Sequence, residues 1–177
     1  MKSKKTIIIC ALVTILILGG VISGVSLLFN HPLRIEKPTF IYIDRDDTAD
    51  SVYVKLQRDL NATHLTGFKM LARLKKYDQQ IHSGAYRFDA SINTLTLFRR
   101  LSSGHQTPVK VVIPSVRTLS RLARSLDRQL MPDSTEFARL VGDSAFCASL
   151  GFSLETMPAL FIPNTYEAYW NTDAEAF

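Results

Sequence analysis

Two carboxylates lie near a run of aromatic side chains at the end of the 177-residue chain. Leu160-Phe-Ile-Pro-Asn-Thr-Tyr-Glu-Ala-Tyr-Trp170 sets Glu167 beside Tyr166, Tyr169 and Trp170, and Glu155 lies a little upstream. A carboxyl group among aromatic rings is partly desolvated, which raises its pKa toward the range where one group can both give and take a proton. The residues alone also fit a surface glutamate beside core aromatics. A second pattern is basic: Arg117, Arg121, Arg124 and Arg128 recur at spacings of 4, 3 and 4 on one helix face. Such a stripe fits a solvated face or a contact with an anionic glycan, lipid or partner. His31, His64, His82 and His105 show no pair at metal-ligand spacing, so no metal is expected. No glycine-rich phosphate loop and no Gly-x-Ser-x-Gly elbow occurs, and no cofactor is expected.

The elements that must position these residues are legible in outline. Pro38 to Asp44 reads as a strand, and Asp46-Asp47-Thr48 offers N-caps for a helix reaching Leu60 with Val52, Leu56 and Leu60 on one face. Thr66-Gly67 precedes a second helix, with Phe68, Leu71, Ala72 and Leu74 inward. A short strand follows over 82–88, with Gly84 at its entry. Ser91 or Asn93 then caps a helix that ends at Gly104, a candidate for the left-handed conformation. Thr107 to Ile113 is a strand stopped by Pro114, and Thr118 to Leu130 is an amphipathic helix with Leu119, Leu122, Ala123, Leu126 and Leu130 as its apolar stripe. Shorter helices are expected from Pro132 to Gly142 and from Ser144 to Leu150. Cys147 reads as a small core residue. Thr172-Asp-Ala-Glu175 has capping-box spacing, so a helix starts there and is not completed by Phe177.

The charge is unevenly placed. The chain carries 21 Lys+Arg and 16 Asp+Glu, a net +5, with a pI near 9.3. Residues 1–37 hold +4 of it, leaving +1 for 38–177. A nucleic-acid partner is therefore not expected. Ile7 to Phe29 is free of charge over 23 residues, roughly 34 Å as a helix against a ~30 Å hydrocarbon core. Lysines before it place the N-terminus in the cytoplasm. The expected organisation is a cytoplasmic tail at 1–6, a single transmembrane helix at 7–29 and a linker at 30–38. Gly20 and Gly24 form a Gly-x-x-x-Gly pair within the span. Lys69 to Arg139 then carries net +8, whereas 140–177 holds five acids and no base.

The order of these pieces resembles a known family. Ser83-Gly-Ala-Tyr-Arg-Phe88, Leu101-Ser-Ser-Gly104, Val109-Lys-Val-Val-Ile-Pro114 and Phe161-Ile-Pro-Asn-Thr-Tyr166, after an N-terminal anchor, resemble the N-terminal half of the endolytic murein transglycosylases, the MltG or YceG-like family. The resemblance implies an α+β fold: a LysM-like module at 39–105, then the start of a mixed α+β catalytic domain at 106–177, incomplete here. It implies an inner-membrane protein with its bulk in the periplasm. Its activity would be that of a lyase cleaving nascent peptidoglycan glycan strands to give 1,6-anhydro-N-acetylmuramic acid ends, acting beside cell-wall synthases.

The chemistry implied needs one carboxyl group, because the sugar's own 6-hydroxyl is the nucleophile. In the family the acid opens a Glu-Gly-x-x-x-Pro-Asp-Thr-Tyr stretch. Here Pro163-Asn164-Thr165-Tyr166 matches its end, but Pro158 and Ala159 stand where Glu and Gly are usual. The family's Ile-Pro-Glu-Gly likewise reads Ile113-Pro114-Ser115-Val116. Glu167 and Glu155 are therefore the candidate acids, with Asn164, Tyr166, Tyr169 and Trp170 as candidate substrate contacts. The alternatives are a non-catalytic module that binds peptidoglycan or a synthase, and a scaffold with no sugar contact.

Overall fold

A computed structural model describes residues 2–30, 32–33, 35, 37–62, 65–89, 91–115, 118–132 and 134–177; side chains at 2–11, 25, 27, 28 and 134 lie outside that description. His31, His64, Val116 and Arg117 fall outside the described residues. The chain runs α1 (Lys2–Phe29), β1 (Pro32–Leu33), β2 (Thr39–Ile43), α2 (Ala49–Leu60), α3 (Thr66–Leu74), β3 (Gly84–Phe88), β4 (Ile92–Asn93) and α4 (Thr94–Ser102). It continues as β5 (Val109–Ile113), α5 (Leu119–Asp127), α6 (Ser134–Val141), α7 (Ser144–Ser149) and β6 (Asn164–Ala168). The described residues thus form a mixed α+β fold with small antiparallel sheets pairing β1 with β4, β2 with β3, and β5 with β6.

Local chemistry explains most of the boundaries. Thr48 caps α2 in a reciprocal box with Ser51, and Asn93 caps α4 by accepting from the Thr96 amide at 2.7 Å. α4 ends in a paired turn: the His105 amide donates to the Arg100 carbonyl at 3.1 Å, the Gly104 amide to that of Leu101 at 3.4 Å, and Gly104 has a φ of +67°. Leu74 is exposed, not inward: it is the last residue of α3, on the side of Gly67 at the border of the buried stripe, which consists of Gly67, Phe68, Leu71 and Ala72. Cys147 is fully buried, with Sγ against the Val141 carbonyl at 3.3 Å. The helix expected to start at Thr172 is a single turn, closed by the Phe177 amide donating to the Asp173 carbonyl at 3.0 Å.

Two hydrophobic cores form. The first gathers Ile41, Ile43, Val52, Leu56, Phe68, Tyr77, Tyr86, Phe88, Leu97 and Leu101, all almost fully buried. Phe68 lies at its centre, edge-on to Tyr53, Tyr77 and Phe98 at 5.6–6.0 Å. The second joins Val109, Val111 and Ile113 of β5 to Leu122, Ala123, Leu126, Phe137, Cys147 and Met157. β2 serves both: Ile41 and Ile43 face the first core, while on the opposite face of the pleat Phe40 packs against the second and Tyr42 meets Trp170.

Among the described residues no helix is long and apolar enough to cross a membrane. On α1 the unbroken run of described side chains is 12–24, about 20 Å at ~1.5 Å per residue. Its apolar groups, including Leu12, Ile15, Leu16, Leu18 and Ile22, are all exposed.

Candidate functional site

Strand pairing decides where the acid goes. In the β5–β6 ladder Glu167 stands directly opposite Lys110, while Val111 faces Tyr166 and Ile113 faces Asn164. Val109, Val111 and Ile113 turn inward, so alternation sends Lys110 and Glu167 to the outer face, where both side chains are exposed.

That outer face is one wall of a cleft of about 1010 Å³. The opposite wall comes from the first core's sheet, through Phe40 and Tyr42 of β2 and Arg87 of β3; the end of α5 adds Asp127, Arg128 and Gln129. Phe40 stacks on Tyr42 at 5.9 Å and 19°, and Tyr42 meets Trp170 at 5.0 Å. Three rings in sequence, Phe40 and Tyr42 from one wall and Trp170 from the other, with a guanidinium 6.0 Å from the first of them (Arg87 over Phe40), make an apolar strip bordered by polar groups. Such a strip suits sugar rings, whose C–H faces are apolar and whose edges are hydroxylated.

The segment after β6 holds the two walls together. The Met131 amide donates to the Trp170 carbonyl at 2.8 Å, and Asn171 Nδ2 donates to the Ser83 carbonyl at 2.9 Å. Asp173 pairs with Arg45. Gln129 seals the free edge of β5: Oε1 accepts from the Val112 amide at 2.7 Å, and Nε2 donates to the Val112 carbonyl at 3.0 Å and the Ser125 carbonyl at 2.9 Å.

The candidate residues separate accordingly. Glu167 and Trp170 line the cleft together. Tyr166 and Tyr169 line a hollow of about 560 Å³ with Phe137, Phe161 and Phe177, which Glu167 also borders, and the Tyr166 hydroxyl donates to the Ile162 carbonyl at 3.1 Å. Asn164 turns its Oδ1 back to accept from the Thr165 amide at 2.8 Å. Glu155 is exposed in the turn 153–156 and is not among the residues lining the cleft. Phe40, Tyr42, Lys110 and Gln129 were not anticipated. The Phe-Ile-Tyr alternation of β2 was the available signal for the two rings; nothing local marks Gln129.

A smaller cavity, of about 290 Å³, brings together Pro114, Ser115, Thr118, Pro158, Ala159 and Pro163. The two positions at which the sequence departs from acidic motifs, Ser115 and Pro158, thus converge across space. No carboxylate is among the described residues that line this cavity.

The family model described as the YceG-like family matches residues 41–177, covering both cores. The chain belongs to the YceG-like family. A solved structure of a yceG-like protein from Listeria monocytogenes is similar at 18% identity with a TM-score of 0.38, covering 79% of this chain and 51% of that one. This YceG-like chain therefore spans about half the length of that relative. No curated protein matches it.

Proposed function

We propose that this chain supplies the membrane anchor, the glycan cleft and the acid–base carboxyl of a peptidoglycan lytic transglycosylase. One observation carries the reading: β5–β6 pairing sets Glu167 opposite Lys110, in a cleft faced by Phe40, Tyr42 and Trp170. Membership of the YceG-like family supports the reaction class. Sugar rings stack on the aromatic wall with the scissile bond over Glu167. The carboxyl protonates the departing glycosidic oxygen as its bond to C1 breaks. The 6-hydroxyl oxygen of the same sugar then bonds to C1 and gives its proton to the carboxylate, regenerating the acid and leaving a 1,6-anhydro end. Lys110 offers its cation to Glu167 between the two steps.

The uncharged stretch at 7–29 and the exposed apolar side chains of α1 support an inner-membrane helix, with the rest of the chain in the periplasm beside cell-wall synthases. A LysM-like module at 39–105 fits the first core, and the catalytic domain starts with the strand β5.

The test is digestion of purified glycan strands by the full-length protein, with products read by mass spectrometry. Anhydro-ended muropeptides are expected, and Glu167→Gln lowers their rate about 10²–10⁴-fold. Unchanged rates in that variant would remove Glu167 from the chemistry. A second reading, a non-catalytic peptidoglycan- or synthase-binding module, is favoured by the cavity at Ser115 and Pro158, which has no carboxylate among its described lining. Binding of strands without any anhydro product would establish that reading.

A further inference from the structure

Three arginines of the stripe, Arg121, Arg124 and Arg128, border a concave surface. They line a groove of about 490 Å³ between α5 and the edge of β5, whose floor is Val112 and Pro114. Ser125 and Gln129 complete the described lining, which contains three cations and no anion. All three arginines are exposed. Gln129 is committed to Val112 and Ser125, and the Nε of Arg124 donates to the Ser120 carbonyl at 3.3 Å. The remaining guanidinium nitrogens form the polar surface of the groove. Arg128 and Gln129 also line the large cleft, where Arg87 and Lys110 add two further cations. Groove and cleft therefore adjoin at Arg128 and Gln129. The acids of the cleft, Asp127 and Glu167, are not among the residues lining the groove.

We infer that this groove is a subsite for the carboxylates of an acidic peptide carried on the glycan strand. The inference rests on the glycan-cleft reading and specifies which strands it takes. Arg121 and Arg128 are seven residues apart, about 10 Å along the helix at ~1.5 Å per residue. An extended peptide covers that in three residues at ~3.3–3.6 Å each, so carboxylates a few residues apart meet successive guanidinium forks. A sugar seated on Phe40, Tyr42 and Trp170 passes its attached peptide over Arg128 into the groove. The arginine contribution is discrimination: strands still bearing their peptides are retained, and stripped strands are held by the aromatic wall alone.

The experiment uses the full chain in phosphatidylcholine nanodiscs and two probes, fluorescent glycan strands with their peptides and the same strands after amidase removal. Peptide-bearing strands should bind about tenfold tighter at low salt, with the advantage shrinking as salt rises. Replacing Arg121 and Arg124, which line the groove and not the cleft, together by Gln should abolish most of the difference while leaving stripped-strand binding unchanged. Replacing both by Lys keeps the charge without the fork and should restore at least part of it, which separates a lost subsite from a damaged fold. Equal binding of both strands by the native chain overturns the inference and leaves the cleft reading standing. Failure to bind either strand removes both. If the Gln variant binds strands normally and instead loses capture of phosphatidylglycerol vesicles, the groove is a membrane contact and the inference falls.

Discussion

Replacing Gln129 by Ala should loosen the β5 edge on which both the cleft and the groove are built. The side chain makes two hydrogen bonds to the Val112 backbone, at 2.7 and 3.0 Å, and one to the Ser125 carbonyl at 2.9 Å. A net hydrogen bond contributes about 1 kcal/mol, which sets roughly 2 kcal/mol for the pair on Val112. Val112 is 48% exposed, so water recovers part of that. The expected loss is about 1–2 kcal/mol, or roughly 3–6 °C in Tm for a chain of this size. Gln129→Met keeps the apolar stem and loses the same bonds, so its difference from Ala isolates packing from hydrogen bonding. Thermal melting of the full chain in nanodiscs, followed by tryptophan fluorescence at Trp170, reads both variants. A Gln129→Ala melting point within 1 °C of the native chain would refute the idea that this side chain acts as a substitute strand.

Other outcomes can be stated more briefly. Gly84→Ala should cost at least about 2 kcal/mol, because Gly84 has a φ of +148° and a Cβ would run into the Gln106 side chain. Adding Gln106→Ala should recover the steric part and leave the backbone strain, read by urea unfolding. Phe68→Ala should cost about 3–5 kcal/mol, since the ring is fully buried and edge-packed on three others. Burial pushes the Asp47 carboxyl up, but hydrogen bonds from Lys55, Ser51 and the Asp44 amide outweigh it and hold the group below its ordinary 3.8. A depressed folded-state pKa stabilises above about pH 4, and this contribution should vanish as pH falls through the folded value; Asp47→Asn should flatten the acid limb of a stability–pH profile. At the alkaline end, burial pushes the Tyr86 hydroxyl up to about 12. Its contribution is present below pH 10 and lost between about 10 and 12, and Tyr86→Phe should remove that loss from an alkaline melt series.

Elements built from local signals were legible in the residues. β5 shows it best, since Val109, Val111 and Ile113 alternate with Lys110 and Val112 and are the buried set. The stripe of α5, the Asn93 cap and the Gly104 terminus were equally readable, because each depends on neighbours within a few positions. β6 had no such signal. Four of its five residues are exposed, so it has no apolar alternation, and it is a strand because β5, some fifty residues earlier, offers a free edge. The site divided along the same line. Glu167 and Trp170 were visible as an acid among rings, but their opposing wall, Phe40 and Tyr42, is supplied by a strand over a hundred residues away. Tyr166 and Glu167 share the lining of the smaller hollow, but only Glu167 also reaches the large cleft, because successive residues of a pleated strand turn to opposite faces.

The segment 169–173, which fastens the two walls, also sets the order in which the molecule can assemble. The first core draws on residues 33–101, so all its members are present once that stretch has emerged. The second waits for its last strand, and the bond from Asn171 to Ser83 closes a loop of 88 residues. Local contacts form fast and distant ones slowly, and a chain delivered from its N-terminus folds in that direction. A chain delivered from its N-terminus therefore passes through a stage in which Phe40 and Tyr42 are in place while Glu167 and Trp170 have yet to arrive. At that stage the cleft has one wall, and the wall that carries Glu167 and Trp170 is still to be added.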